Sequence, residues 1–190
     1  MISKLAICLT QYLVQQSAIG EDDKDLYIYG FFVLLSRLFL LIVTVLLGLL
    51  FGVIWESVCF YIMFIALRSY AGGIHAKTEA KCTVMSTMAI LMSVSMIKFS
   101  KEYALGSIIS WIMIATGSLS IFLFSPADTP EKTLDAEEYR HFRKISLVVL
   151  LICVCIFAYG VETGKNEIKG PVTMSVFLEG VLLVCCKLSN

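Results

Sequence analysis

His75 and Cys82 stand seven residues apart in the polar stretch RSYAGGIHAKTEAKC, residues 68 to 82, of a chain that is otherwise mostly apolar. A free cysteine titrates at a pKa of about 8.5, and its thiol is a poor nucleophile until it ionises. A neighbouring imidazole can take that proton, pair with the thiolate, and later return the proton to a leaving amine. Lys81 beside the sulfur, and the positive end of a helix starting there, would stabilise the same negative charge. The spacing imposes a condition. On one straight helix, residues seven apart share a face but lie about 10.5 Å apart along the axis. The pair can meet only if His75 sits in a turn and folds back toward a helix that begins near Cys82. Gly72 and Gly73 give the backbone freedom for that turn, and Glu79 is placed to orient the ring if its stretch is helical. By spacing alone, the pattern also fits a loop histidine and a buried thiol.

The elements around this patch are those of an all-α membrane protein. Of the 190 residues, 58% are hydrophobic and 16% charged, with a mean hydropathy of +0.86, more apolar surface than a soluble domain of this length can bury. Fifteen basic and fifteen acidic residues cancel, which removes any global attraction to nucleic acid. Apolar runs fall at about 27–53, 54–67, 83–97, 103–124, 145–160 and 171–187. Since a bilayer core takes about 20 helical residues, the first and fourth runs suffice and the second is short.

The lysines and arginines decide whether the second run spans. Six spans with the N-terminus inside put Lys4, Lys24, Arg68, Lys77, Lys81, Lys132, Arg140, Arg143, Lys144 and Lys187 in the cytoplasm, and only Lys98, Lys101, Lys165 and Lys169 outside. Omitting the second span inverts the bias, so the positive-inside rule selects six spans and places the patch on the cytoplasmic side, as a catalytic loop or re-entrant segment. Leu5, Cys8, Leu9, Tyr12 and Leu13 recur at helical spacing, so residues 1–24 read as an amphipathic segment lying on the membrane or packed on other protein. With no repeat or linker visible, residues 1–190 read as one domain, the bundle covering 27–187. The connector SPADTPEKTLDAEEYRHFRK, residues 125–144, reads as a short surface helix capped by Thr133 or Asp135.

Other features admit plainer readings. Arg68, at the end of a short span, can snorkel to headgroups. Arg37 and Glu179 lie at membrane depth, where charges usually face protein or water, and they can pair with each other. The seven cysteines are scattered through apolar runs, and His75 and His141 are too few for most metal sites, so neither metal nor other cofactor is implied. A small multi-span transporter or peptide exporter without proteolytic activity is the alternative function from another class.

Arg68, Gly72, Gly73, His75, Ala76 and Cys82, with the later SPADTPEKTL and YRHFRKIS segments, resemble the accessory gene regulator B (AgrB) family of membrane endopeptidases, which process peptide pheromone precursors in Gram-positive quorum sensing. The resemblance covers essentially the whole chain. It implies a cysteine endopeptidase with Cys82 and His75 catalytic and with Arg68, Gly72, Gly73 and Glu79 supporting the site or its oxyanion hole. The substrate would be a small AgrD-like precursor peptide, cleaved to a thioester acyl-enzyme and released as a thiolactone or lactone ring. Lys132, Arg140, Arg143 and Lys144 are then candidates to meet the precursor's acidic tail, although an ordinary positive-inside loop has the same composition. The partners implied are that peptide and the lipid bilayer, with a homodimer possible and no nucleic acid.

Overall fold

The computed structural model describes residues 2–72, 79–103, 107–127 and 135–189. Its elements are α1 (Ile2–Gln15), a 3-10 turn (Glu21–Asp23), α2 (Lys24–Phe51), α3 (Ile54–Ala71), α4 (Glu79–Tyr103), α5 (Ser107–Phe124), α6 (Ala136–Glu162) and α7 (Asn166–Ser189). No strand occurs among the described residues, and the protein is an all-α membrane protein. Five helices, α2, α3, α4, α6 and α7, are long and apolar enough to cross a bilayer, and α5 is a shorter apolar helix. Of the fourth run, 103–124, Tyr103 ends α4 and Ser107–Phe124 form α5; residues 104–106 lie outside the described residues.

The chain divides into two compact units, residues 1–43 and 44–190. In the first, α1 buries Ala6 and Thr10, one turn apart, with the Thr10 hydroxyl donating to the Ala6 carbonyl at 2.9 Å. Leu5, Leu9 and Tyr12 remain exposed, the disposition expected of a helix whose apolar side faces lipid headgroups. Along α2, Leu34, Leu38 and Ile42 are exposed too, which suits a surface bathed in hydrocarbon rather than water.

The second unit begins with the end of α2 and a tight reversal into α3. Gly52 has φ +70°, and a Cβ on Gly48 would come within 2.9 Å of the Ile54 Cα. Only glycine at both positions lets the chain turn in so few residues, and the break falls where the sequence divides its first two runs. The helix α7 is the centre of the core: Val172, Val176 and Leu183 are fully buried among Leu67 and Ala71 of α3, Ile114 and Ile121 of α5, and Leu150, Cys153 and Phe157 of α6. Trp111 meets Phe157 edge-on at 4.9 Å. Between α5 and α7 the backbones touch, since a Cβ on Gly117 would lie 2.6 Å from the Val176 carbonyl oxygen. Such small-residue contacts substitute for a hydrophobic driving force that lipid does not provide.

Three contacts fix which ends lie together. Lys101, near the end of α4, reaches Glu56 at the start of α3 (2.5 Å) and Glu167 at the start of α7 (3.8 Å). At the other end, the Ala127 amide donates to the Ala71 carbonyl at 2.8 Å, joining the ends of α3 and α5. Arg143, in the second turn of α6, donates to the Ser125 and Phe122 carbonyls at 3.2 and 3.4 Å. Thus α3, α5 and α7 run one way, and α4 and α6 return.

Among the described residues of the connector at 125–144, those from Ala136 onward do not form a separate surface helix. Asp135 caps α6 through its side chain, accepting from the Ala136 amide at 2.7 Å, and α6 then continues unbroken to Glu162. The charged residues Glu137 to Lys144 are its first turns, held on the bundle by Arg143 and by the buried hydrogen bond between the Ser125 and Ser146 hydroxyls at 2.7 Å. Polar composition signals a surface, yet here one side of those turns is anchored.

Candidate active site

The last turn of α3 carries Arg68, where the apolar run of the sequence stops but the helix continues to Ala71. Its guanidinium makes that extension possible. The Nη1 group donates to the Gly72 carbonyl at 2.8 Å and lies 3.8 Å from Oε1 of Glu179 on α7. The Glu179 side chain has no solvent exposure, and neither of its oxygens has a hydrogen-bond donor among the described residues. Arg68, its side chain 22% exposed, thus faces an enclosed acid on α7. Glu179, read from sequence as a possible mate of Arg37, has its facing cation on α3, within its own unit.

Gly72 is required where it stands. Its φ of +80° is a region L side chains avoid, and an added Cβ would meet the Ala127 carbonyl oxygen at 2.8 Å. The closeness reflects an isolated parallel β-bridge between Gly72 and Ala127. The two polar motifs singled out in the sequence thus leave the bundle side by side.

Cys82 lies in the first turn and a half of α4, half-buried and with a free thiol. Glu79 opens the same helix, its carbonyl accepting from the Thr83 hydroxyl at 2.9 Å. Because α4 ends at the Glu56–Lys101 clasp, it starts at the opposite end, where Arg68, Gly72 and Ala127 are found. Gly73, His75 and Lys132 lie outside the described residues. Of the other basic candidates, Arg140 and Lys144 are exposed one turn apart on α6. Arg143 turns inward to the carbonyls that end α5. No group of three His, Cys, Asp or Glu side chains able to hold a metal ion occurs among the described residues.

Across residues 6–183 the sequence matches the family described as Accessory gene regulator B. The chain belongs to that family. Two relatives described as AgrB-like span almost all of it: one from Halalkalibacterium halodurans is 27% identical over 96% of this chain and 87% of its own length. The other, from Clostridium perfringens strain 13, is 25% identical over 100% of this chain and 92% of its own. A third, from Listeria monocytogenes serotype 4a, is 27% identical over 63% of this chain and 59% of its own length. No solved structure matches. AgrB membership connects the chain to the accessory gene regulator system of quorum sensing, and both polar motifs fall within the matched residues.

Arg68 and Gly72 were legible as candidates because a charge and a glycine interrupt an apolar run. The carboxylate facing one and the neighbour of the other were not, since Glu179 and Ala127 belong to distant segments. The only sequence signal for Glu179 is its rarity, an acid amid GPVTMSVFLEGVLLV.

Proposed function

We propose that this AgrB-family chain is a cysteine endopeptidase of the bacterial cell membrane that cleaves and cyclises a small AgrD-like precursor peptide. The Cys82 sulfur attacks the carbonyl carbon at the end of the future pheromone while His75 holds the thiol proton. The carbon–nitrogen bond then breaks, the proton passes to the departing amine, and the precursor's C-terminal part leaves. A thiol or hydroxyl within the retained peptide attacks the resulting thioester, the Cys82 sulfur departs, and a thiolactone or lactone remains. Thioester exchange is nearly balanced in energy, so the acyl group stays activated until ring closure. The internal nucleophile outcompetes water because holding it close gives an effective concentration far above its solution value.

The observation that carries this reading is the Ala71–Ala127 hydrogen bond with its Gly72 bridge. It ties together the segments leading into the His75 and Lys132 stretches, at the end of the bundle where the helix of Cys82 begins. The surplus of lysine and arginine at this end supports a cytoplasmic site, and Arg140 and Lys144, with Lys132, are the residues available to an acidic precursor tail.

The test is co-expression with the small peptide encoded beside this chain, followed by mass spectrometry. Wild type is expected to give a cleaved, dehydrated product and a Cys82 acyl adduct, whereas Cys82→Ala and His75→Ala insert normally and give neither. Processing by either variant at the wild-type level would overturn the mechanism. Passage of intact peptide across the membrane, indifferent to alkylation of Cys82, would identify an exporter instead.

A further inference from the structure

We infer that Glu179 is a positioning residue for this reaction, acting through Arg68 on the turn that leads toward His75; the inference rests on the cysteine endopeptidase reading. Glu179, on the membrane-spanning helix α7, has no solvent exposure, and no donor among the described residues reaches either oxygen. A carboxylate there is costly on any insertion scale. The approach of α7 to α5 is set by the helical neighbour of Glu179, Gly180, where a Cβ would come 2.7 Å from the Gly117 Cα. What Glu179 does face is the Arg68 guanidinium at 3.8 Å.

Arg68 in turn holds the Gly72 carbonyl at 2.8 Å. Three constraints then meet at Ala71 and Gly72: the Arg68 bond to the Gly72 carbonyl, the Ala127 amide on the Ala71 carbonyl, and the backbone contact that only a glycine at 72 permits. The His75 segment departs from this point. With Glu179 neutral, the electrostatic hold on Arg68 is lost, and a long flexible guanidinium can swing toward water or headgroups. Gly72 then loses one of its anchors, and with it the hold on the start of the segment that carries His75. Bound precursor would still be held by the exposed cations of α6. Glu179 therefore belongs to the acylation step and not to precursor capture.

The experiment uses the full-length protein reconstituted in lipid, with the synthetic peptide encoded beside this chain. The Cys82 acyl adduct is followed by mass spectrometry in single turnover, and peptide binding by fluorescence anisotropy. Glu179→Gln is expected to slow acylation at least about tenfold while peptide affinity stays within about twofold, because small misplacements of reacting groups cost rate out of proportion to binding. Glu179→Asp, which keeps the carboxyl group but retracts it, is expected to fall between wild type and Glu179→Gln. Adding Glu179→Gln to Arg68→Met should slow the reaction no further, since both act along one path.

Acylation by Glu179→Gln at the wild-type rate, or losses that multiply in the double variant, would overturn the inference. If Glu179→Gln fails to insert, Glu179→Asp decides alone: slower acylation at unchanged affinity supports the inference, and a wild-type rate refutes it. Should Cys82→Ala and His75→Ala still process peptide, the endopeptidase reading falls and takes this inference with it. Inactive Cys82→Ala and His75→Ala beside a fully active Glu179→Gln would sink the inference alone.

Discussion

The two ends of the second unit both place an acid where water is scarce, and they treat it differently. At one end Glu56, 6% exposed, meets Lys101 at 2.5 Å, and the lysine, still 41% exposed, also lies 3.8 Å from Glu167. The acid there has a donor in hand and the cation keeps contact with solvent. At the other end Glu179 is fully enclosed, and the nearest cation stands 3.8 Å away with its nitrogen committed to the Gly72 carbonyl. The first arrangement fastens three helix ends. The second gives up its best local geometry so that a guanidinium can hold a turn. Ion pairs taken from water are weak evidence of stability, which makes the difference instructive: one pair fastens helix ends, and the other, on the inference drawn above, serves the turn after α3.

The comparison can be broken first at Cys82, where the effect is expected to be largest. Cys82→Ala should abolish adduct and product, measured by mass spectrometry, without changing the amount of protein in the membrane. Gly72→Ala comes next: positive φ and the 2.8 Å approach to the Ala127 oxygen should destabilise the turn by about 1–3 kcal/mol and slow processing at least about tenfold. A melting curve in detergent paired with a product assay would show both losses. Lys101→Met should do the reverse, lowering stability by about 1–3 kcal/mol because buried Glu56 loses its donor, while each folded molecule processes peptide within about twofold of wild type. A large activity loss per folded molecule would erase the distinction between the ends. Glu167→Gln should do least, within about 0.5 kcal/mol in the same melting assay, since an exposed pair at 3.8 Å contributes little.

Much of the bundle was legible from the chain itself. Apolar run lengths mark the helices, and Asp135, one of two caps the sequence offers beside Thr133, starts α6, because each acts through its immediate neighbours. The continuity of α6 was not legible. Glu137 to Lys144 look like a surface segment until the inward reach of Arg143 and the Ser125–Ser146 bond are known, and both partners lie across a connector. The same holds for the candidate site: Arg68 and Gly72 announce themselves within one stretch, whereas Glu179 looks like an isolated membrane charge whose nearest arginine in kind is Arg37.

Composition and periodicity alone determined that this chain is helical, embedded in lipid, and equipped with two polar motifs, since burial and hydrogen-bond satisfaction in a bilayer allow few other outcomes for such runs. Tertiary structure alone decided that the two motifs leave the bundle joined at Gly72 and Ala127, and that the charge facing Arg68 comes from α7. Those pairings depend on which helix ends are brought together, and that is set by backbone approach at Gly117 and Gly180 and by the clasp at Lys101, through distances that no local pattern encodes.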